Sequence, residues 1–309
     1  MLDSDLVVIQ GSNMAECHPV AFRWVAKAKL AGGKLIHVDP RFTRTSAMAD
    51  IHAPIRAGSD VAFLGGLITY VINSERWNTE PFFKEYVVNY TNAATIINDE
   101  FKDTEELDGV FSGLLEAGGG AKEWPYNAGL GRYDSKTWQY AAGDGKAPPA
   151  PAAAPAPPAA KPAPPAPGAP AAAAAPPRYE GLVRSLLEPP PPRDETLQHP
   201  RCVFQIVKQH FARYTPEMVE KVTGCPKDIF VKVAETILAN SGPDKTTSFA
   251  YAVAWTQHTN GVQTIGTCAL LQLLLGNMGR PGAGIMALRG HASIQGSTDI
   301  PTLYHSIHG

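Results

Sequence analysis

Apolar residues along this chain come in short unbroken runs separated by longer stretches of helical period. Leu6–Gln10, LVVIQ, is continuous and stops at Gly11, the pattern of a strand buried on both faces. From His18 to Leu30 the spacing changes to three and four residues, with Val20, Trp24 and Ala28 on the expected inner face, and Gly32-Gly33 closes the helix. KLIHVDP is a second buried run, ended by Asp39-Pro40. A strand, a helix and a strand joined this tightly predict a parallel sheet with a right-handed crossover. APIRAG reads as a third strand, with Asp60 capping the helix VAFLGGLITYVINS that follows.

The pattern dissolves between about Asn98 and Glu195. Residues 146–192 hold most of the chain's 28 prolines, interleaved with alanine, and predict a disordered or polyproline-II insertion on the surface. Periodicity returns at DETLQHPRCVFQIVKQHFARY, a helix starting at Pro200 with Val203, Ile206 and Val207 on its apolar side. TPEMVEKVTG follows, with Thr215 as N-cap, Pro216 in the first turn and Gly224 as terminator. PKDIFVKVAETILANSG is a further helix, and TTSFAYAVAWTQHTNG a strand running into a polar loop. VQTIGTCALLQLLLGNMG is a buried helix whose richest apolar stretch contains Gln272, and GIMAL a last apolar run. The expected class is α/β, with Rossmann-like parallel-sheet units, helices on both faces and one interruption. The expected division is 1–97, an insertion over 98–195, and a second α/β unit over 196–309. The two flanking parts are either one interrupted domain or a pair.

Composition narrows the functional classes. A net charge of -2 gives no basic surface for nucleic acid or anionic membrane. No run of about 18 apolar residues is present, so direct membrane insertion is not expected. The four cysteines, Cys17, Cys202, Cys225 and Cys268, are scattered and never form CxxC, which disfavours a metal or iron–sulfur site built from this chain alone. The chain enters a strand almost at once, without a leader, and stops without completing an element. Both ends are expected to be cut from something longer.

Chemistry is expected at the strand ends, because open α/β sheets bind ligands beyond the carboxyl ends of their strands, where helix N-termini offer free N–H groups to phosphates. GSNMAECHP follows the first strand: Gly11 permits close backbone approach, Ser12 shares its turn, and Asn13 and Glu16 can bond a polar ligand. After the second strand, Asp39 stands where an acid accepts from a ribose hydroxyl, followed by Pro40, with Arg41 and Arg44 suited to a phosphate. After the third, Gly58, Ser59 and Asp60 offer a small-residue turn and a carboxylate matched to the paired N–H donors of a guanine edge. The GxGxxG fingerprint is absent, which argues against NAD. Cys17-His18 is read as a partly buried thiol beside a helix-packing imidazole, and His258 as a loop histidine without companions at ligand spacing. Arg289, at the end of the last strand, is read on its own as a surface arginine.

Four segments together carry a resemblance: GSNMAECHP, HVDPRFTRTSAMADIHAPIRAGSD, TQHTNGVQ and LLGNMGRPGAGIMALRGHASIQGSTDIP. They closely resemble the molybdopterin oxidoreductase superfamily, and within it the catalytic subunits of respiratory-type formate dehydrogenases. VDPR and GNMGRPGAG carry the wider family, and RGHASIQGSTD the formate dehydrogenases. The resemblance implies molybdenum or tungsten held by two molybdopterin guanine dinucleotides. It implies that Gly11, Ser12, Asn13, Glu16, Asp39, Pro40, Arg41, Gly58, Ser59 and Asp60 contact one dinucleotide. Thr256 and Gln257 then lie near the pterin. Arg289 becomes the arginine that holds formate, with Gly290 and the small residues after it leaving room for the cofactor. A guanidinium suits this task because it forks onto a carboxylate and stays charged at any working pH.

Two family features do not occur here: the N-terminal cysteines of a [4Fe–4S] centre, and the cysteine or selenocysteine that ligates the metal. No metal ligand is therefore expected from this chain, and the cluster is expected in a missing N-terminal part. Implied partners are formate, an iron–sulfur beta subunit and, further on, a membrane cytochrome subunit. The implied place of work is the periplasmic face of the membrane, with the cytoplasm as the alternative. Rival readings are a nitrate-reductase-like molybdopterin enzyme, a non-catalytic scaffold or electron-transfer subunit, and an ordinary nucleotide-binding protein.

Overall fold

The computed structural model describes residues 1–115, 132–142 and 190–290. The chain divides into two compact units, Met1–Ala93 with the described residues from Val207 onward, and Ala94–Ile206. Most of the Pro/Ala tract, and the small residues from His291 to Pro301, lie outside the described residues.

The first unit begins with β1 (Leu6–Gln10), α1 (Met14–Cys17), α2 (Pro19–Leu30), β2 (Lys34–Val38), α3 (Arg44–Met48), β3 (Ile51–Ala53), α4 (Asp60–Asn73), α5 (Glu75–Thr79) and α6 (Pro81–Tyr90). The second unit holds β4 (Leu114–Leu115) and β5 (Arg132–Tyr133), paired antiparallel, and isolated bridges such as Ile96 to Cys202. Helix α7 (Val203–Phe211) leads back to the first unit, which continues with α8 (Pro216–Thr223), α9 (Lys227–Ala239), β6 (Thr247–Tyr251), α10 (Val253–Thr256), α11 (Gly261–Leu274) and β7 (Gly284–Ala287). All five strands of its sheet are parallel, in the order β3-β2-β1-β6-β7. The fold is α/β, and the strands before and after the insertion share one sheet.

Burial on both faces explains why β1 is apolar up to Gln10. Val7 and Ile9 turn to one face and pack with Phe22 and Val25 of α2, Leu35 and Ala250. Gln10 turns to the other face, where its Nε2 donates to Asp60 Oδ1 at the start of α4. On that side α4 and α11 pack together, and Phe63 meets Phe230 of α9 edge-on at 5.4 Å. Fully burying each such ring contributes about 1.5–3 kcal/mol. Gly66 in α4 has a packing reason, because a Cβ there would collide with Val219 and the Phe230 ring. Gln272, a buried polar residue of α11, donates to the carbonyls of Thr247 and Gly284 at 2.9 and 2.8 Å, tying the helix to β6 and to the first residue of β7. Among the described residues no helix is long and apolar enough to cross a membrane.

Several local expectations are corrected. The third strand is Ile51–Ala53; Pro54 ends the pairing, and most of APIRAG is loop. The buried face of α2 is Phe22, Val25 and Ala28, whereas Val20 and Trp24 are 70% and 38% exposed. Trp24 instead lies beneath the cations of Arg23 and Lys27. His18 precedes α2 rather than packing within it, and Cys17 is exposed, not partly buried. The N-cap of α4 is Ser59, and Asp60 is the first helical residue. α7 starts at Val203, not Pro200, with Phe204 as its buried residue. The stretch after β6 forms the short helix α10 before its loop. Thr215 and Gly224 act as expected: the Thr215 hydroxyl accepts from Met218 N, and Gly224 takes φ 71°.

Candidate functional site

All five parallel strands end on one edge of the sheet, and every candidate site residue follows one of those ends. The order reverses about β1: the chain builds outward to β3, then returns to place β6 on the other side. The crevice between β1 and β6 is therefore the switch point where α/β sheets accept ligands.

The turn after β1 is shaped by its neighbours. Gly11 has φ 68°, and a Cβ there would lie 2.9 Å from Ala254 Cβ and 3.2 Å from Trp255 Cδ1. Asn13 spans two loops, its amide donating to Glu16 and its Oδ1 accepting from Thr45 Oγ1 at 3.0 Å. Glu16 also faces the exposed Arg44, at 3.4 Å. Ser12 is buried, yet its hydroxyl has no partner among the described residues.

In the loop after β2, Asp39 Oδ1 accepts from Arg41 N at 2.9 Å, and Pro40 and Arg41 are exposed. His37 lies fully buried beneath this loop. Burial lowers its pKa, while Asp39 and the bond to Ser12 pull the other way. The sign follows from linkage: below about pH 6.5 the unfolded imidazole takes up a proton that the folded one resists, so stability falls as pH falls. The thermal midpoint of the wild type is expected to drop further between about pH 7.5 and pH 5.5 than that of His37→Gln. Identical slopes in a pH series of melts would remove His37 from the balance.

The turn after β3 is linked to β1 and β6. Asp60 is buried, and its Oδ1 accepts from Gln10 Nε2 at 2.8 Å and Trp255 Nε1 at 3.2 Å. Desolvation raises its pKa, with these two bonds opposing. The Asp60 oxygen accepts in both bonds, so the Gln10 amide presents its nitrogen to it. Its Oε1 is left buried and unpartnered. Trp255, fully buried, stacks on Tyr251 at 4.7 Å. Gly58 is exposed at φ 82° next to the His258 ring, which brings this turn beside the loop after α10. Thr256 and Gln257 on that loop are exposed.

Two helices of 14 residues, α4 and α11, begin at this edge, and neither N-cap residue supplies a side-chain cap. The Ser59 hydroxyl is turned away, donating to Arg56 O at 2.6 Å. Gly261 N at the start of α11 is taken by the His258 carbonyl at 3.0 Å, and the remaining first-turn N–H groups of both helices have no intrahelical acceptor, the feature that suits a helix start to an anion. Arg289 and Gly290, after β7, are exposed. His18 Nε2 lies 3.1 Å from the Arg289 carbonyl, bringing the backbone after β7 to the turn after β1. Among the described residues, no hydrogen bond or ion pair engages the Arg289 guanidinium.

Sequence reasoning brought the loops together but missed Gln10, His37 and Trp255, which brace them from below. The available signal was a polar residue inside a run otherwise fully apolar, as in LVVIQ and KLIHV.

The family model "Molybdopterin oxidoreductase" matches residues 2–305. Over 308 residues the chain is 42% identical to the formate dehydrogenase-O major subunit of Escherichia coli (strain K12), covering 99% of this chain and 24% of that protein. Over 303 residues it is 39% identical to the formate dehydrogenase subunit alpha of Megalodesulfovibrio gigas, covering 98% and 24%. Acetylene hydratase from Pelobacter acetylenicus superposes with a TM-score of 0.48 at 18% identity, covering 91% of this chain and 22% of that one. The chain thus spans 24% of the length of these formate dehydrogenase relatives. With nearly every residue inside the family match, this chain belongs to the molybdopterin oxidoreductases, a family whose cofactor is a molybdopterin with molybdenum or tungsten.

Proposed function

We propose that this chain supplies the dinucleotide-holding loops and the substrate-side arginine of an enzyme that oxidises formate to carbon dioxide. Its cofactor is a pair of molybdopterin guanine dinucleotides carrying molybdenum or tungsten. The observation that carries the reading is the single edge on which the loops after β1, β2, β3, β6 and β7 gather. The residues present fit such a group: an unpartnered buried Ser12 hydroxyl, two uncapped helix N-termini and an open glycine at Gly58 suit phosphates approached at close range.

When bound, the metal would supply the two-electron redox chemistry that the conversion of formate to carbon dioxide requires. This chain binds and orients. Ser12 and the N–H groups of α4 and α11 hold phosphate oxygens. Gly11, Asn13, Glu16, Asp39, Pro40, Arg41, Gly58 and Ser59 line the path of one dinucleotide. Asp60 keeps acceptor capacity for the donors of a guanine edge while Gln10 and Trp255 fix its orientation. Thr256 and Gln257 would line the pterin, and Gly290 would leave it room. Arg289 forks onto the formate carboxylate. A [4Fe–4S] cluster outside this chain would supply the electron-transfer chemistry toward an iron–sulfur beta subunit, with a membrane cytochrome subunit as the further partner.

The test uses the intact protein purified without oxygen. Molybdenum or tungsten accompanied by a pair of guanine nucleotides, and dye reduction that depends on formate, are expected. Cofactor-loaded protein that ignores formate and instead oxidises reduced dye with nitrate would replace this reading with oxyanion reduction. Absence of both metals would favour a non-catalytic scaffold.

A further inference from the structure

His37 sits in β2 with no exposed surface, where valine or isoleucine would pack without burying polar atoms. Both ring nitrogens are engaged, one by the turn after β1 and the other by α3. Nε2 lies 3.0 Å from the Ser12 carbonyl in the turn after β1. Nδ1 lies 2.8 Å from Ser46 Oγ, which in turn accepts from Thr43 N at 2.8 Å. Asp39 Oδ2 is 3.9 Å from Nε2.

These contacts set the proton positions. A carbonyl only accepts, so Nε2 carries the hydrogen, and Nδ1 offers its lone pair to the Ser46 hydroxyl. The neutral ring is thus a strut between the turn holding Ser12 and Ser46 at the start of α3, which accepts from Thr43 N and so is tied to the end of the loop holding Asp39 and Arg41. The residue it grips by the main chain is the one whose hydroxyl is buried and unpartnered. Thr45 makes a second tie nearby, donating to Asn13 Oδ1 and accepting from Ala15 N, both at 3.0 Å.

We propose that His37 is a positioning residue: it sets the Ser12–Asn13 turn at a fixed height against the Asp39–Thr45 loop, so that both address one nucleotide. The inference rests on the dinucleotide reading above and assigns that reading a determinant beneath the site rather than in it. His37 touches no ligand; it acts through Ser12.

Three substitutions separate the two ends of the strut. In His37→Gln the amide nitrogen reaches the Nε2 position and can still donate to Ser12. In His37→Asn the side chain reaches only the Nδ1 position and can still accept from Ser46. His37→Val keeps the packing and removes both bonds. The probes are guanosine diphosphate binding by the cofactor-free intact protein, and amide hydrogen exchange of residues 11–16.

Loss of one such bond is expected to weaken nucleotide binding about three- to tenfold, and to speed exchange across the turn by a similar factor, in the Asn and Val variants. The Gln variant should stay within about threefold of wild type on both. A merely structural histidine would lower the melting midpoint in all three without ranking Gln above Asn in affinity or exchange. Equal behaviour of Gln and Asn, or unchanged exchange in Val, overturns the proposal whatever the nucleotide result. A wild-type protein that fails to bind the diphosphate overturns the nucleotide reading instead, and the exchange data then still decide whether His37 holds the turn.

Discussion

Arg289→Lys in the intact enzyme is expected to lower kcat/KM for formate by about 100- to 1000-fold, or about 3–4 kcal/mol of transition-state binding, with metal and nucleotide content unchanged. The charge survives this substitution, so the loss measures the fork. A guanidinium presents two parallel N–H donors to the two oxygens of a carboxylate, whereas an ammonium presents a point. The backbone at this position is held separately, through the Arg289 carbonyl and His18 Nε2, so the side chain can be changed without releasing the segment. Arg289→Ala should lose more than the lysine variant. Steady-state kinetics showing less than a tenfold loss in both would move the anion site elsewhere.

Gly11→Ala is expected to destabilise the protein by about 2–4 kcal/mol, from two sources that add. The backbone at φ 68° is left-handed, which costs an L-residue with a side chain about 1–2 kcal/mol. The new methyl would also stand 2.9 Å from Ala254 Cβ and 3.2 Å from Trp255 Cδ1. Trp255 cannot simply yield, because it is fully buried, stacked on Tyr251 and bonded to Asp60. The strain therefore passes to Asp60, and guanine-nucleotide binding should weaken with stability. Denaturant unfolding of the cofactor-free variant checks the first effect, and a loss below about 1 kcal/mol would mean that the turn is looser than its contacts imply.

Much of this arrangement was legible in the chain, and the exceptions share a cause. Nearly continuous apolar runs identified β1 and β2, because a strand covered on both faces leaves few polar positions. The third strand was misplaced because Pro54 and the apolar residues around it read as extended, while only Ile51–Ala53 finds a paired neighbour. In α2 two apolar stripes compete, and the sheet selects Phe22, Val25 and Ala28 over Val20 and Trp24. No local pattern ranks those stripes. The candidate loops were legible from small residues and acids after each run. The braces beneath them were not, since Gln10 finds Asp60 and His37 finds Ser12 only once separate strands have paired.

The sheet's central seam, where Leu6 of β1 aligns with Thr247 of β6, has a consequence for how the protein assembles. Closing it fixes the ends of a very long stretch of sequence, so loop-closure entropy opposes it before any contact rewards it, and folding should be slow for this reason. That entropy rises only logarithmically, by about 0.6 kcal/mol for each doubling of the intervening length. The tract between the two halves can therefore lengthen or shorten over generations at almost no thermodynamic cost to the seam.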